Sequence, residues 1–70
     1  MQEFERVMLN EVNKMARRAF NHYEMNGNKW DEIHKQNMNE IWGALRVMSA
    51  ATGKDYVVNA DGTVTERGEE

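Results

Sequence analysis

Asp31 and His34 come closest, by residue type and spacing, to a known chemical arrangement. They stand three residues apart, the spacing at which a carboxylate and an imidazole on one helix share a metal ion in di-iron bundles. Such a site also needs inward-facing glutamates at the same level, but Glu24 falls on the outer helix face and Glu5 lies at the far end. The pair is therefore interpreted as a capping aspartate and a boundary histidine, and no metal site is predicted.

The segment Asn59-Ala60-Asp61-Gly62 has the composition of a calcium-binding loop. If Gly62 occupied the sixth position of such a loop, the first and twelfth ligands would fall at Val57 and Gly68. Neither residue has a side-chain oxygen, so the calcium pattern fails. The same residue types are typical of a tight turn.

Nucleophilic catalysis has no candidate group in this chain. There is no cysteine, and Ser49 lies near a predicted helix end without a histidine at its level. No catalytic residue and no cofactor are predicted, and the chain is interpreted as a non-enzyme.

Lys14, Arg17 and Arg18 form the one basic cluster of the sequence. Lys14 and Arg18 are like charges four residues apart, an unfavourable pair unless an anion joins them. A phosphate or an acidic partner would satisfy the cluster, and a solvated helix face is the simpler reading because Glu11 is close by. The net charge of −3 argues against general binding to nucleic acid.

The composition is that of one small domain without a membrane segment. Seventy residues bury too little surface to be robustly stable alone, and without cysteine no disulfide can help, which leaves oligomerisation as the common remedy. The N-terminal letters MQEFER lack the apolar region of a secretory signal, so a cytoplasmic location is expected.

Two helices are predicted from the period of the apolar residues. The first spans residues 2–26 and ends at Gly27, which suits the left-handed position that closes a helix. The second spans residues 29–52, with Asn28 as its N-cap. The short link between them requires an antiparallel return. A helical hairpin is therefore predicted.

The apolar stripes of both helices are wider than one neighbouring helix can cover, and Trp42 and Val47 widen the second stripe further. Two hairpins packed as a dimeric four-helix bundle would cover them. Asn37 lies inside the second stripe, where a polar residue either specifies the register of an oligomer or sits at an exposed edge.

Residues 54–67 change to a strand period and predict a β-hairpin. A type I turn at Asn59–Gly62, with Gly62 in a G1 bulge, is expected to set Val58 opposite Thr63 and Val57 opposite Val64. Residues 68–70 are expected to fray as an acidic tail.

The sequence thus predicts an α+β fold, mostly α, with a helical hairpin followed by a β-hairpin. Its expected role is to bind itself and an unidentified protein partner, through Trp42 and its helix neighbours or by strand addition at the ribbon edge. The candidate contact residues are Trp42, Val47, Asn37, Lys14, Arg17 and Arg18. The alternative role is that of a nucleic-acid-associated accessory protein or an acidic inhibitor of a nucleic-acid-binding protein.

Overall fold

A computed structural model of the chain describes residues 3–67. Two helices, α1 at Glu3–Met25 and α2 at Glu32–Thr52, precede two strands, β1 at Tyr56–Val58 and β2 at Val64–Glu66. The helices form a hairpin and the strands an antiparallel ribbon, which confirms the mostly helical α+β architecture. The predicted first residue of α1, Gln2, and the predicted tail at 68–70 lie outside the described residues.

The turn after α1 is a Schellman motif centred on Gly27. The Asn28 amide donates to the Tyr23 carbonyl at 2.8 Å, and the Gly27 amide donates to the Glu24 carbonyl at 3.1 Å. Gly27 has a φ of 70°, a conformation that a residue without Cβ adopts at little cost. The prediction that Gly27 closes the first helix is confirmed.

The predicted start of the second helix at Lys29 is wrong, because α2 begins at Glu32. Its N-cap is Asp31, which has an extended backbone and whose Oδ1 accepts the His34 amide at 2.8 Å. Asn28 cannot cap α2, since its φ of 59° places it in the Schellman turn instead. Trp30 therefore lies in the loop before the helix and outside its stripe.

The core lies where both helices meet the ribbon. Its buried apolar residues are Val12, Ala16, Ala19, Met38, Ile41, Leu45, Met48 and Val64. The spacing of the helical members follows the predicted stripes, but the buried part of each stripe is narrower than expected. Ile33, predicted to lie inside the second stripe, is exposed.

The predicted register of the β-hairpin is wrong by one residue. Val58 pairs with Val64 and Val57 pairs with Thr65. The turn itself is as predicted, with the Gly62 amide donating to the Asn59 carbonyl at 3.0 Å and a φ of 85° at Gly62. Because the bulged glycine has no cross-strand partner of its own, the Asn59 amide bonds the Thr63 carbonyl and every later pair shifts.

This register decides which side chains face the helices. Val58 and Val64 share the inner face of the ribbon, and Val64 is 2% exposed. Val57 lies on the outer face with Thr65, contrary to the expectation that Val57 and Val64 share a face. β2 packs beside α1, and β1 packs beside α2.

Candidate partner-binding site

A groove of about 520 Å³ runs between α2 and the outer edge of β1. Most of its lining is apolar or aromatic, and within the described chain no Asp or Glu lines it. The lining residues are Phe20, Trp30, Met38, Trp42, Leu45, Tyr56, Val57, Val58, Asn59, Ala60 and Arg67. We call this feature the aromatic groove.

Two stacked indole rings form one wall of the aromatic groove. The ring centroids of Trp30 and Trp42 are 6.5 Å apart, with 27° between the ring planes. Trp42 comes from the flank of α2, whereas Trp30 reaches it from the loop because α2 begins only at Glu32. The two side chains are 55% and 46% exposed, so each retains a large apolar surface that the fold does not cover.

His34 supports this wall from inside the molecule. It is 1% exposed, and its ring meets the edge or face of three aromatic rings, at centroid distances of 4.5 Å for Trp30, 4.6 Å for Tyr23 and 5.8 Å for Phe20. Its Nδ1 is buried without a hydrogen-bond partner among the described residues. His34 thus acts as a packing platform that holds Trp30 in place.

Asp31 holds the loop that carries Trp30. Its carboxylate accepts the His34 amide, the Asn26 side-chain amide at 2.9 Å, and a contact from His22 Nε2 at 3.1 Å. The His34 amide bond is the main cause that lowers the pKa of Asp31 below 3.8. This cap ties the end of α1 to the start of α2 and fixes the position of the intervening tryptophan.

One cation lines the aromatic groove and two more lie beside Trp42 on α2, and together we call them the basic rim. Arg67 lines the groove from the ribbon. On α2, Lys35 and Arg46 lie seven residues before and four after Trp42, so they fall on the same side of the helix as that ring. Within residues 3–67, none of these three cations forms an ion pair.

Val47 and Asn37 lie on a different surface from Trp42. Val47 follows Trp42 by five residues, which places it roughly 140° further around α2. Asn37 is half-buried in a cleft that it shares with Met15, Arg18 and Glu40. This side of the hairpin also presents exposed Phe4, Val7 and Ile33. We call it the helical face.

Lys14, Arg17 and Arg18 do not form an isolated basic patch. Lys14 Nζ contacts Glu11 at 3.3 Å. Arg17 lines a cleft together with Glu24 and Asp61, and Arg18 lines the cleft with Glu40. Carboxylates therefore accompany each member of the cluster.

A polar cluster that the sequence did not indicate joins α1 to the ribbon. The buried carboxylate of Glu5 accepts the Tyr56 hydroxyl at 2.9 Å and Lys54 Nζ at 3.2 Å. The Tyr56 hydrogen bond and then Lys54 lower the pKa of Glu5, while Glu5 raises the pKa of Lys54. Burial raises the pKa of Tyr56, and its hydroxyl also meets Thr52 at 3.1 Å. Every group is satisfied, so this cluster has a structural role.

Trp42 is the predicted contact residue that the structure places in the aromatic groove. Trp30 and Arg67 were not among the predicted contact residues, and the ribbon edge was predicted without a choice between its two strands. The run of Lys35, Trp42 and Arg46 at helical spacing was a signal for the basic rim, but nothing local indicated that Arg67 would lie across from it. Among residues 3–67, no group of three potential metal ligands is present, and neither helix is long and apolar enough to cross a membrane.

Comparison of the chain with protein-family models, with curated proteins and with solved structures gave no match in any of the three.

Proposed function

We propose that the protein is an interaction module whose action is to bind a protein partner in the aromatic groove. The observation that carries this proposal is the stacked pair of Trp30 and Trp42, each about half exposed beside a groove without carboxylates among residues 3–67. Tryptophan is enriched among the residues that dominate protein interfaces. Covering the exposed half of each indole removes roughly 100 Å² of apolar surface from water, which is worth about 2 kcal/mol per ring.

Selection of peptides from a random library against the immobilised protein tests this function. Trp42→Ser is expected to weaken the selected binders at least about tenfold, because it removes the centre of the aromatic wall. Val47→Ser is the matched control, since Val47 is an exposed apolar residue on the other side of the same helix and is expected to leave affinity unchanged. If no selected binder depends on Trp42, the proposed function is wrong.

The salt dependence of binding separates this function from the alternative roles. Binding centred on the indole rings is expected to keep its dependence on Trp42 at both low and moderate salt. A nucleic-acid ligand held by Arg17 and Arg18, or a basic protein held by the acidic surface, would lose affinity steeply over the same range. A steep slope together with independence from Trp42 would favour those alternatives.

We further propose that the helical face is covered by a second copy of the chain. Ile33 and Val47 are 54% and 58% exposed, and Phe4 and Val7 on α1 are also exposed. The ribbon covers the opposite side of the hairpin, so a second hairpin is the simplest cover for this one, giving a four-helix bundle.

Sedimentation at micromolar concentration is expected to give a dimer or larger. Val47→Glu should shift it to monomer, because a dimer would bury two unpaired charges. Trp42→Ser should leave the assembly unchanged, which makes the two variants reciprocal controls. If the parent protein sediments as a monomer, the helical face is not covered by a second copy of the chain.

A further inference from the structure

The two edges of the ribbon differ in what covers their backbone groups. The Asn59 amide bonds the Thr63 carbonyl, and the Arg67 amide bonds the Asp55 carbonyl at 2.8 Å. Hydrogen-bonded and non-hydrogen-bonded pairs alternate along an antiparallel ribbon. Val57 and Thr65 lie between these two bonded pairs and therefore form the next hydrogen-bonded pair. The backbone groups of Tyr56 and Val58 therefore point away from β2, along the aromatic groove that both residues line.

On β2, the outward groups of Val64 are already bonded. The Val64 amide donates to Asn13 Oδ1 at 2.8 Å, and Asn13 Nδ2 donates to the Val64 carbonyl at 3.1 Å. A side-chain amide on α1 thus takes the place of a third strand on that side. Edge strands that are neither paired nor capped are templates for another strand. Among residues 3–67, no backbone group bonds the outward groups of β1.

Resting on the function proposed above, we infer that the partner of the aromatic groove is an acidic segment in extended conformation that adds to β1 as a third strand. The outward groups of Tyr56 and Val58 supply main-chain hydrogen bonds to this segment. Its alternate side chains reach Trp30 and Trp42, and its carboxylates face Arg67, with Arg46 and Lys35 on the Trp42 side of α2.

The charges favour this occupant over a second copy of the chain. A two-fold pairing along β1 brings the same surface of both copies together. Within residues 3–67 no carboxylate lines the groove, so a second copy would offer no negative charge to Arg67 there. An acidic segment is attracted electrostatically to the basic rim.

The probes are two capped peptides of about eight residues, one alternating valine with glutamate and the other alternating valine with lysine. The glutamate peptide is expected to bind the full chain at least about tenfold more tightly than the lysine peptide. Arg67→Ala should weaken the glutamate peptide about threefold to tenfold. Arg6→Ala, at an exposed arginine of α1 that pairs with Glu3, is the matched control and should have no effect.

Amide hydrogen exchange followed by NMR identifies the mode of binding. Saturation with the glutamate peptide is expected to slow exchange at Tyr56 and Val58 at least about tenfold, because those amides acquire acceptors. The amides of Val57 and Asn59 serve as internal controls, since both already bond across the ribbon.

Any of four results would overturn the inference. Equal or tighter binding of the lysine peptide contradicts the charge of the partner, and binding without slower exchange at Tyr56 and Val58 contradicts strand addition. Slower exchange at these amides that depends on protein concentration alone would identify a second copy as the occupant. If library binders depend on Trp42 yet leave both amides unprotected, the inference fails while the proposed function stands.

Discussion

The Asn13 side chain bonds both backbone groups of Val64, accepting from the amide at 2.8 Å and donating to the carbonyl at 3.1 Å. Asn13 Nδ2 also donates to the Leu9 carbonyl one turn earlier on α1, at 2.9 Å. One amide therefore connects a helix to a strand 51 residues away in the chain. It fixes the position of β2 and occupies the outward backbone groups of Val64, so another strand cannot bond to them.

Asn13→Ala is expected to destabilise the fold by about 2 kcal/mol, because it leaves two buried backbone groups of Val64 without partners. Amide exchange at Val64 should accelerate by more than at Val57, whose bonds lie within the ribbon. Denaturant unfolding and hydrogen exchange measure both effects. Asn10→Ala, an exposed asparagine on the same helix, is the control and is expected to be neutral or slightly stabilising. Equal stability of the two variants would show that the contact with Val64 contributes nothing.

Gly62→Ala is expected to be more harmful than Gly27→Ala. Both glycines have positive φ, so both variants incur the backbone strain of about 1–2 kcal/mol. A Cβ at Gly62 would also lie 3.1 Å from Cγ of Phe20, whereas a Cβ at Gly27 meets nothing within 4 Å. The difference between their unfolding free energies therefore measures how closely the ribbon packs on α1. Circular dichroism should show that the helices persist in both variants, and similar losses for the two would mean that Phe20 moves away freely.

Protonation of Glu5 is expected to destabilise the fold at acid pH. The pKa of Glu5 is below 4.5 in the folded chain, so its contribution to stability is complete above that value and is lost as the pH falls through the folded pKa. Thermal melts across the acid range measure this slope, which should be shallower in Glu5→Gln. Glu11→Gln removes an exposed carboxylate and is the control.

The same cluster predicts a second loss of stability at alkaline pH. The pKa of Lys54 is raised above 10.5 and that of Tyr56 above 10.0, so their contributions are complete below those values and disappear as the pH rises through the folded pKa values. Tyr56→Phe should remove part of this alkaline dependence. An unchanged alkaline limb in that variant would show that the buried hydroxyl is not coupled to folding.

Asn37→Leu is expected to raise the melting temperature and to give mixed assembly states. Asn37 is half-buried beside Met15 on the helical face, where an apolar side chain is the stabilising choice and a polar one restricts how a second copy docks. Sedimentation and calorimetry of the variant and parent, side by side, measure both properties. A loss of partner affinity with unchanged assembly would assign Asn37 to a binding surface instead. If neither property changes, both roles proposed for Asn37 are wrong.

The sequence was sufficient for the helices and for the positions of the turns. Apolar period and the Gly27 signal are local properties, and they predicted the end of α1 within a residue. The start of α2 was missed because Asn28 and Asp31 are both good N-caps. The choice between them depended on how many residues the Schellman turn would occupy.

In the ribbon, the turn was predicted correctly from the sequence, but the pairing of the strands was not. Gly62 was recognised as the left-handed residue of the turn from composition alone. Predicting that Val58 pairs with Val64 required recognising that the bulge residue has no partner on the other strand. Since the side-chain period of a strand is two, that single residue moved Val57 from the inner face to the outer one.

By itself, the sequence determined where the helices, the turns and the ribbon lie, because each depends on residues only a few positions apart. The tertiary structure alone decided that Glu5 is buried against Tyr56, that Asn13 caps Val64, and that Arg67 faces the wall formed by Trp30 and Trp42. These contacts join residues far apart in the chain, and a polar side chain at a helix edge has the same local pattern whether it meets water or a strand. Where the ribbon packs on the helices determines which of these side chains is buried and which edge of the ribbon remains open.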